Sequence, residues 1–198
     1  YFSQFKKYEW AEIQPLNEVD PKFIDKYAWR LISSDQDSST KKVKSAKNKL
    51  GYLIKSRKNF SALAPINTCY VISQPRVEQN VHNIIIADQG SRLQVLTGCT
   101  ALHQMSTNIH NGVTEIYVGK NAEVTFTMVH SWNKDSEVHP RTAVEVAEGG
   151  KFISNYLIFD PVRYLDTNPK VVLKGLNSKA VLKSFIYSHP DSAVSLGG

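Results

Sequence analysis

The sequence predicts a mainly β fold of stacked coils, preceded by a short helical region. Three observations carry that reading. Beyond about residue 60 the chain shows short β-branched and aromatic runs separated by Gly, Asn and Asp, with no helical period of useful length. Four of these runs share a strand, tight turn, strand pattern whose corners, Gly90, Asn121, Gly150 and Asn177, recur at nearly even intervals. Charge is also divided: residues 1–60 hold 13 Lys/Arg against 7 Asp/Glu, whereas residues 61–198 hold 11 against 11. The boundary predicted from these shifts separates a basic helical region, 1–60, from a β core, 61–198.

The N-terminal region reads as two helices. Over residues 18–32, Asp20 suits an N-cap and Pro21 the first helical position, and Phe23, Tyr27 and Leu31 recur on one face. Residues 33–40 are a polar linker. Over residues 41–55, Val43, Ala46, Leu50 and Ile54 make an apolar stripe among lysines, with Gly51 a weak point in the last turn.

The core follows from its corners. Gly and Asn tolerate the left-handed backbone that a sharp corner demands. A repeat of roughly 30 residues with two strands per unit is the pattern of stacked coils, because one coil alone cannot bury its apolar face. An antiparallel sandwich of hairpins is the competing reading, and the similar corner in each repeat favours coils.

Composition narrows the function classes. Hydrophobic residues make up 41% of the 198, enough for a sizeable core. No apolar run is long enough to span a membrane, and no signal peptide is visible, although the chain starts at Tyr1 rather than Met. Two cysteines, Cys69 and Cys99, are too few for a disulfide scaffold and predict reduced thiols in a cytoplasmic protein, a single disulfide being the alternative. The Lys-rich stretch 41–58 lacks any base-reading motif, so a solvated or partner-facing basic surface is expected rather than nucleic-acid binding.

Several segments resemble one family. Val81-His82-Asn83-Ile84-Ile85-Ile86-Ala87-Asp88, then Leu96-Thr97-Gly98-Cys99-Thr100-Ala101, Gly119-Lys120-Asn121-Ala122, and His130-Ser131-Trp132 resemble the core of SufB and SufD proteins, closer to SufB, over roughly residues 60–198. The resemblance implies a right-handed parallel β-helix. It implies a non-enzymatic scaffold of a SUF-type system that supports sulfur transfer and assembly of a transient iron–sulfur cluster. The implied partners are a SufC-like ABC ATPase, a second SufB/SufD-like chain or a second copy, and a cysteine desulfurase or other sulfur donor. The family's ATPase-docking helical region and the usually cited cluster-forming groups lie beyond the position of Gly198, so the cluster type and its ligands are left open.

Four residues are candidates for the sulfur relay or cluster chemistry. Cys99 matches the Gly-Cys-Thr-Ala cysteine of SufB, and a thiolate is the species that accepts sulfane sulfur and binds iron; the plainer alternative is a small buried residue. Leu93, Val95, Thr97 and Cys99 share one strand face and are expected to point inward. His130 stands where many SufB chains have Gln, and Trp132 matches in type. Arg141 lies near a basic position of the family and, if buried, would stabilise a thiolate or persulfide; a solvated loop arginine is the favoured alternative. The remaining histidines, 82, 103, 110, 139 and 189, show no metal-site spacing, which leaves metal ligands unassigned. A different class of function, a β-helix carbohydrate-active lyase or hydrolase, requires Asp88, Asp160 and Asp166 to converge on one groove.

Overall fold

Residues 8–62, 64–101, 107–160 and 162–198 are described in a computed structural model. They form a parallel β-solenoid of about five turns. In chain order the first strands are β1 (Ala11–Pro15), β2 (Tyr52–Ser56), β3 (Ile66–Ile72), β4 (Glu78–Ala87), β5 (Arg92–Ala101), β6 (Ile109–Val118) and β7 (Glu123–Ser131). They are followed by β8 (Glu137–Val146), β9 (Lys151–Ile158), β10 (Tyr164–Thr167), β11 (Lys170–Leu173), β12 (Lys179–Ile186) and β13 (Ala193–Leu196). One sheet has the order β1-β2-β4-β6-β8-β10-β13, with β11 also on β8, and the facing sheet has the order β12-β9-β7-β5-β3. Among these strands β1 and β2 pair antiparallel and the other pairs are parallel, which rules out the sandwich of hairpins.

Stacking in register makes the core. Ile54, Ile85, Ile116 and Val144 form one inward column, and Leu93, Val124, Phe152 and Ala180 another on the facing sheet. Each fully buried aliphatic or aromatic side chain contributes roughly 1.5–3 kcal/mol relative to exposure. At the corners Asn59, Gly90, Asn121, Gly149 and Asn177 are all left-handed. The third predicted corner is therefore corrected by one residue, from Gly150 to Gly149, and Asn59 marks a corner that the sequence reading missed. The amides of Asn59, Gly90, Asn121 and Gly149 each reach the next coil, as in Gly90 N to Lys120 O at 2.9 Å and Asn121 N to Glu148 O at 2.9 Å.

The N-terminal region is shorter in helix than predicted. Helix α1 (Pro21–Tyr27) starts as expected, with Asp20 Oδ1 accepting from Lys22 N at 2.9 Å. Helix α2 (Ser38–Ser45) begins inside the predicted linker, because Asp37 and Thr40 form a reciprocal capping box. It ends well before the predicted limit, and Tyr52–Ser56 is a strand instead. Gly51 explains the difference. Its φ is +142°, and a Cβ there would stand 1.7 Å from His82 O, so only glycine lets the chain approach β4 this closely.

Two buried clamps hold this region on the outer face of the β4–β6–β8 sheet. Glu115, fully buried on β6, accepts from the amides of Trp29 (2.5 Å), Arg30 (2.7 Å) and Leu31 (2.7 Å), and His82 Nε2 lies 2.8 Å from its second oxygen. Arg141 on β8 binds Asp37, the cap of α2, through Nε at 2.6 Å, and Asp166 on β10 through Nη2 at 2.5 Å. Burial alone would raise the Glu115 pKa, but His82 and the amides of Leu31 and Trp29 outweigh it and hold the carboxyl below its ordinary range.

Two outcomes are expected. Gly51→Ala should cost about 3 kcal/mol in urea unfolding, since it combines a glycine-only backbone with a backbone clash; a loss within error would contradict the role assigned to Gly51. Glu115, lowered on folding, contributes stability that is complete above the ordinary carboxylate range and is lost as pH falls through its folded pKa. Glu115→Gln should therefore lose about 2 kcal/mol at neutral pH and show a flatter fall of stability in acid. Parallel pH curves for the two proteins would show that the clamp carries no such energy.

Candidate functional site

Strand alternation decides what enters the bore between the two sheets. Leu93, Val95, Thr97 and Cys99 of β5 are all buried, as their shared parity predicted. On β7 the inward set ends in His130, and Trp132 follows with the same parity. On the facing sheet, Gln79 and His110 share the parity of Ile85 and Ile116. Register does the rest: Cys99 pairs with His130 and Gln79 with His110, so each couple sits on neighbouring coils.

The result is a buried cluster of unlike donors. Cys99 Sγ and one ring nitrogen each of His110 and His130 all lie within 4.8 Å of one another. His110 Nδ1 faces Gln79 Oε1 at 2.9 Å, and His130 Nδ1 faces Tyr156 Oη at 3.1 Å. The rings of His110 and His130 meet edge-on at 5.7 Å, with Trp132 at 5.1 Å from His110 and 5.7 Å from His130. A second polar strip adjoins the cluster, in which Thr97 Oγ1 meets Tyr52 Oη at 2.9 Å and Thr68 Oγ1 at 2.8 Å.

Burial keeps this pocket neutral. It pushes the Cys99 thiol well above its ordinary range, with a smaller contribution from Cys69. It pushes His110 down to about 4, with His139 adding to the effect, and His130 well below the ordinary imidazole value. Burial thus favours an S–H and two uncharged imidazoles, whose free ring lone pairs are available as ligands, whereas the thiol must lose its proton before it acts as nucleophile or ligand.

The family described as SUF system FeS cluster assembly, SufBD core domain, matches residues 70–197. The chain belongs to the SufBD family. It is 35% identical over 198 residues to an iron–sulfur cluster assembly SufBD family protein of Archaeoglobus fulgidus, covering 99% of this chain and 52% of that protein. It is 34% identical over 194 residues to one of Methanothermobacter thermautotrophicus, covering 96% of this chain and 47% of that protein. A chloroplastic SufBD family protein of Arabidopsis thaliana is 32% identical over 117 residues, covering 59% of this chain and 21% of that protein. The chain spans about half the length of the two archaeal relatives.

In this SufBD chain the predicted residues Cys99, His130 and Trp132 come together. Arg141 does not join them: it lies on the opposite face of β8, committed to Asp37 and Asp166. His110, Gln79 and Tyr156 were missed as a site, although strand parity pointed His110 inward; spacing rules for one helix or strand do not register ligands contributed by separate coils. His103 lies outside the described residues. Cys69 is exposed and free, as Cys99 is free and buried, and no disulfide joins them. The three aspartates of the carbohydrate reading do not converge. Asp88 caps Gln89 N at its corner, Asp160 binds Ser131, and Asp166 binds Arg141.

The two thiols should therefore differ in reactivity. In the folded protein a maleimide is expected to label Cys69 readily and Cys99 far more slowly, with Cys99 catching up on unfolding, as read by mass spectrometry. Equal labelling rates in the native state would show that Cys99 is open to solvent.

Proposed function

We propose that this chain is the β-solenoid part of a cytoplasmic SUF-type scaffold and that Cys99 relays sulfur within it. The observation that carries the reading is the position of the thiol: buried in the bore, between two imidazoles, and one strand from a cleft lined by Tyr52, Ile66, Thr68 and Tyr70. Membership of the SufBD family supplies the context. In the relay, the Cys99 sulfur attacks the terminal sulfur of a donor persulfide carried by a cysteine desulfurase or sulfur carrier. The new S–S bond forms as the donor's breaks, the donor leaves as a thiol with the proton that Cys99 released, and no net oxidation occurs.

The scaffold itself is read as non-enzymatic, with ATP hydrolysis in a SufC-like ABC ATPase partner and the iron–sulfur cluster as cargo. A second SufB/SufD-like chain or a second copy completes the assembly. Among the described residues no helix is long and apolar enough to cross a membrane.

The test is Cys99→Ser in the full-length protein, assayed for persulfide sulfur acquired from a desulfurase and for cluster formed with the ATPase partner. A relay predicts near-normal folding with sulfur acquisition down about tenfold or more. If Cys99 is only packing, the variant loses about 1–2 kcal/mol and assembles clusters normally, and the relay is then refuted.

A further inference from the structure

Two buried polar atoms have no hydrogen-bond partner among the described residues, His130 Nε2 and Trp132 Nε1. Buried polar groups are paired as a rule, so two orphans in one pocket call for a reason. The surrounding contacts supply it. Gln79 Oε1 only accepts, so His110 carries its proton on Nδ1 and presents Nε2 as a bare lone pair. Tyr156 Oη, which can donate or accept, lies 3.1 Å from His130 Nδ1 and can take the Nδ1 proton when Nε2 is given to a metal. Imidazoles that ligate metals are held in this manner, with the second nitrogen donating to an oxygen outside the coordination sphere. Here the two outer oxygens come from β4 and β9, on either side of the pocket.

We infer that Cys99, His110 and His130 form a binding site for a borderline transition-metal dication, zinc or ferrous iron, with one position left for an exogenous ligand. One sulfur and two imidazole nitrogens match such ions and not magnesium or calcium, which require oxygen donors. Bonds of about 2.3 Å to sulfur and about 2.0–2.1 Å to nitrogen place tetrahedral ligand atoms about 3.3–3.6 Å apart. The three atoms here lie within 4.8 Å, so closure asks only for small side-chain rotations. Space is reserved on the metal side of His110: a Cβ on Gly112 would stand 3.0 Å from His110 Nε2. The ion displaces the Cys99 proton to solvent on binding. The unpaired Trp132 N–H, set against the same two rings, is a donor for an anionic fourth ligand such as sulfide or hydroxide. This site stands on three side chains and their supports, and does not depend on the sulfur relay.

The test is anaerobic titration of the full-length, reduced, metal-stripped protein with Co(II), followed by competition with Zn(II) and Fe(II). The expected result is one equivalent bound with intense tetrahedral visible bands and a near-ultraviolet thiolate-to-cobalt band, displaced by zinc. Cys69→Ser should leave both features; Cys99→Ser should abolish the near-ultraviolet band; His130→Gln, which keeps size and polarity, should weaken binding tenfold or more. Should Cys99→Ser not fold, the wild-type near-ultraviolet band and the His130→Gln shift decide the matter. No bound cobalt in the wild type, or a spectrum that survives both Cys99→Ser and His130→Gln, overturns the site. A protein that binds cobalt through Cys99 but takes up no persulfide sulfur refutes the relay alone, and the converse refutes the metal site alone.

Discussion

The structure depends on in-register parallel stacking of coils. Each residue of a strand sits on a fixed counterpart one coil away, as Ile54 does on Ile85, Ile85 on Ile116 and Ile116 on Val144. A register slip by a single position would turn every inward side chain outward, so the apolar columns and the left-handed corners lock one another. Asn59, Gly90, Asn121, Gly149 and Asn177 fall at the same place in successive coils for this reason. The same lock delivers chemistry: Cys99 meets His130 because Leu93 meets Val124 earlier on the same pair of strands.

A polar group inside such a bore is costly unless its partner is also inside. Most of the inward polar residues meet that condition. Thr97 bonds Tyr52 and Thr68, and Tyr70 donates to Asn83 at 2.6 Å, whose amide reaches Thr114 at 3.4 Å. The donor cluster is where pairing is incomplete, and it is also where a thiol pushed up and two imidazoles pushed down leave the pocket uncharged. Fully paired polar strips and the donor cluster thus share a bore but differ in hydrogen-bond satisfaction, a distinction that burial alone does not make.

The sequence was most informative where geometry repeats. The evenly recurring corners, the inward parity of Cys99 and the cap at Asp20 were all visible in it. What stayed hidden has physical causes. The strand Tyr52–Ser56 follows an amphipathic lysine-rich stretch, and its Val43-Ala46-Leu50-Ile54 stripe suits a helix until Gly51 turns the chain into the sheet. Tertiary pairing with β1 and β4 overrode local propensity there. His110 was hidden because its companions come from other coils, and no short-range spacing encodes a contact whose period is a whole turn. Arg141 was misplaced because a basic residue contributed by another coil can occupy either face of its strand.

That alternation also explains how the helical segment, residues 16–45, bears on the bore without touching it. His110 and Glu115 belong to the same strand and face opposite ways, as do Val138 and Arg141 on its neighbour. Outside, Glu115 gathers consecutive amides of residues 29–31, and Arg141 joins the cap of α2 to β10. Buried ionic contacts of this kind add less to net stability than to uniqueness of arrangement, since their desolvation offsets much of the attraction. Their effect here is to hold β6 and β8 against one register while the inner ends of the same strands carry His110 and its neighbours. A pocket made of single side chains from separate coils keeps its geometry only if the coils do not slide, and the basic N-terminal segment is the part of the chain that fastens two of them from the outside.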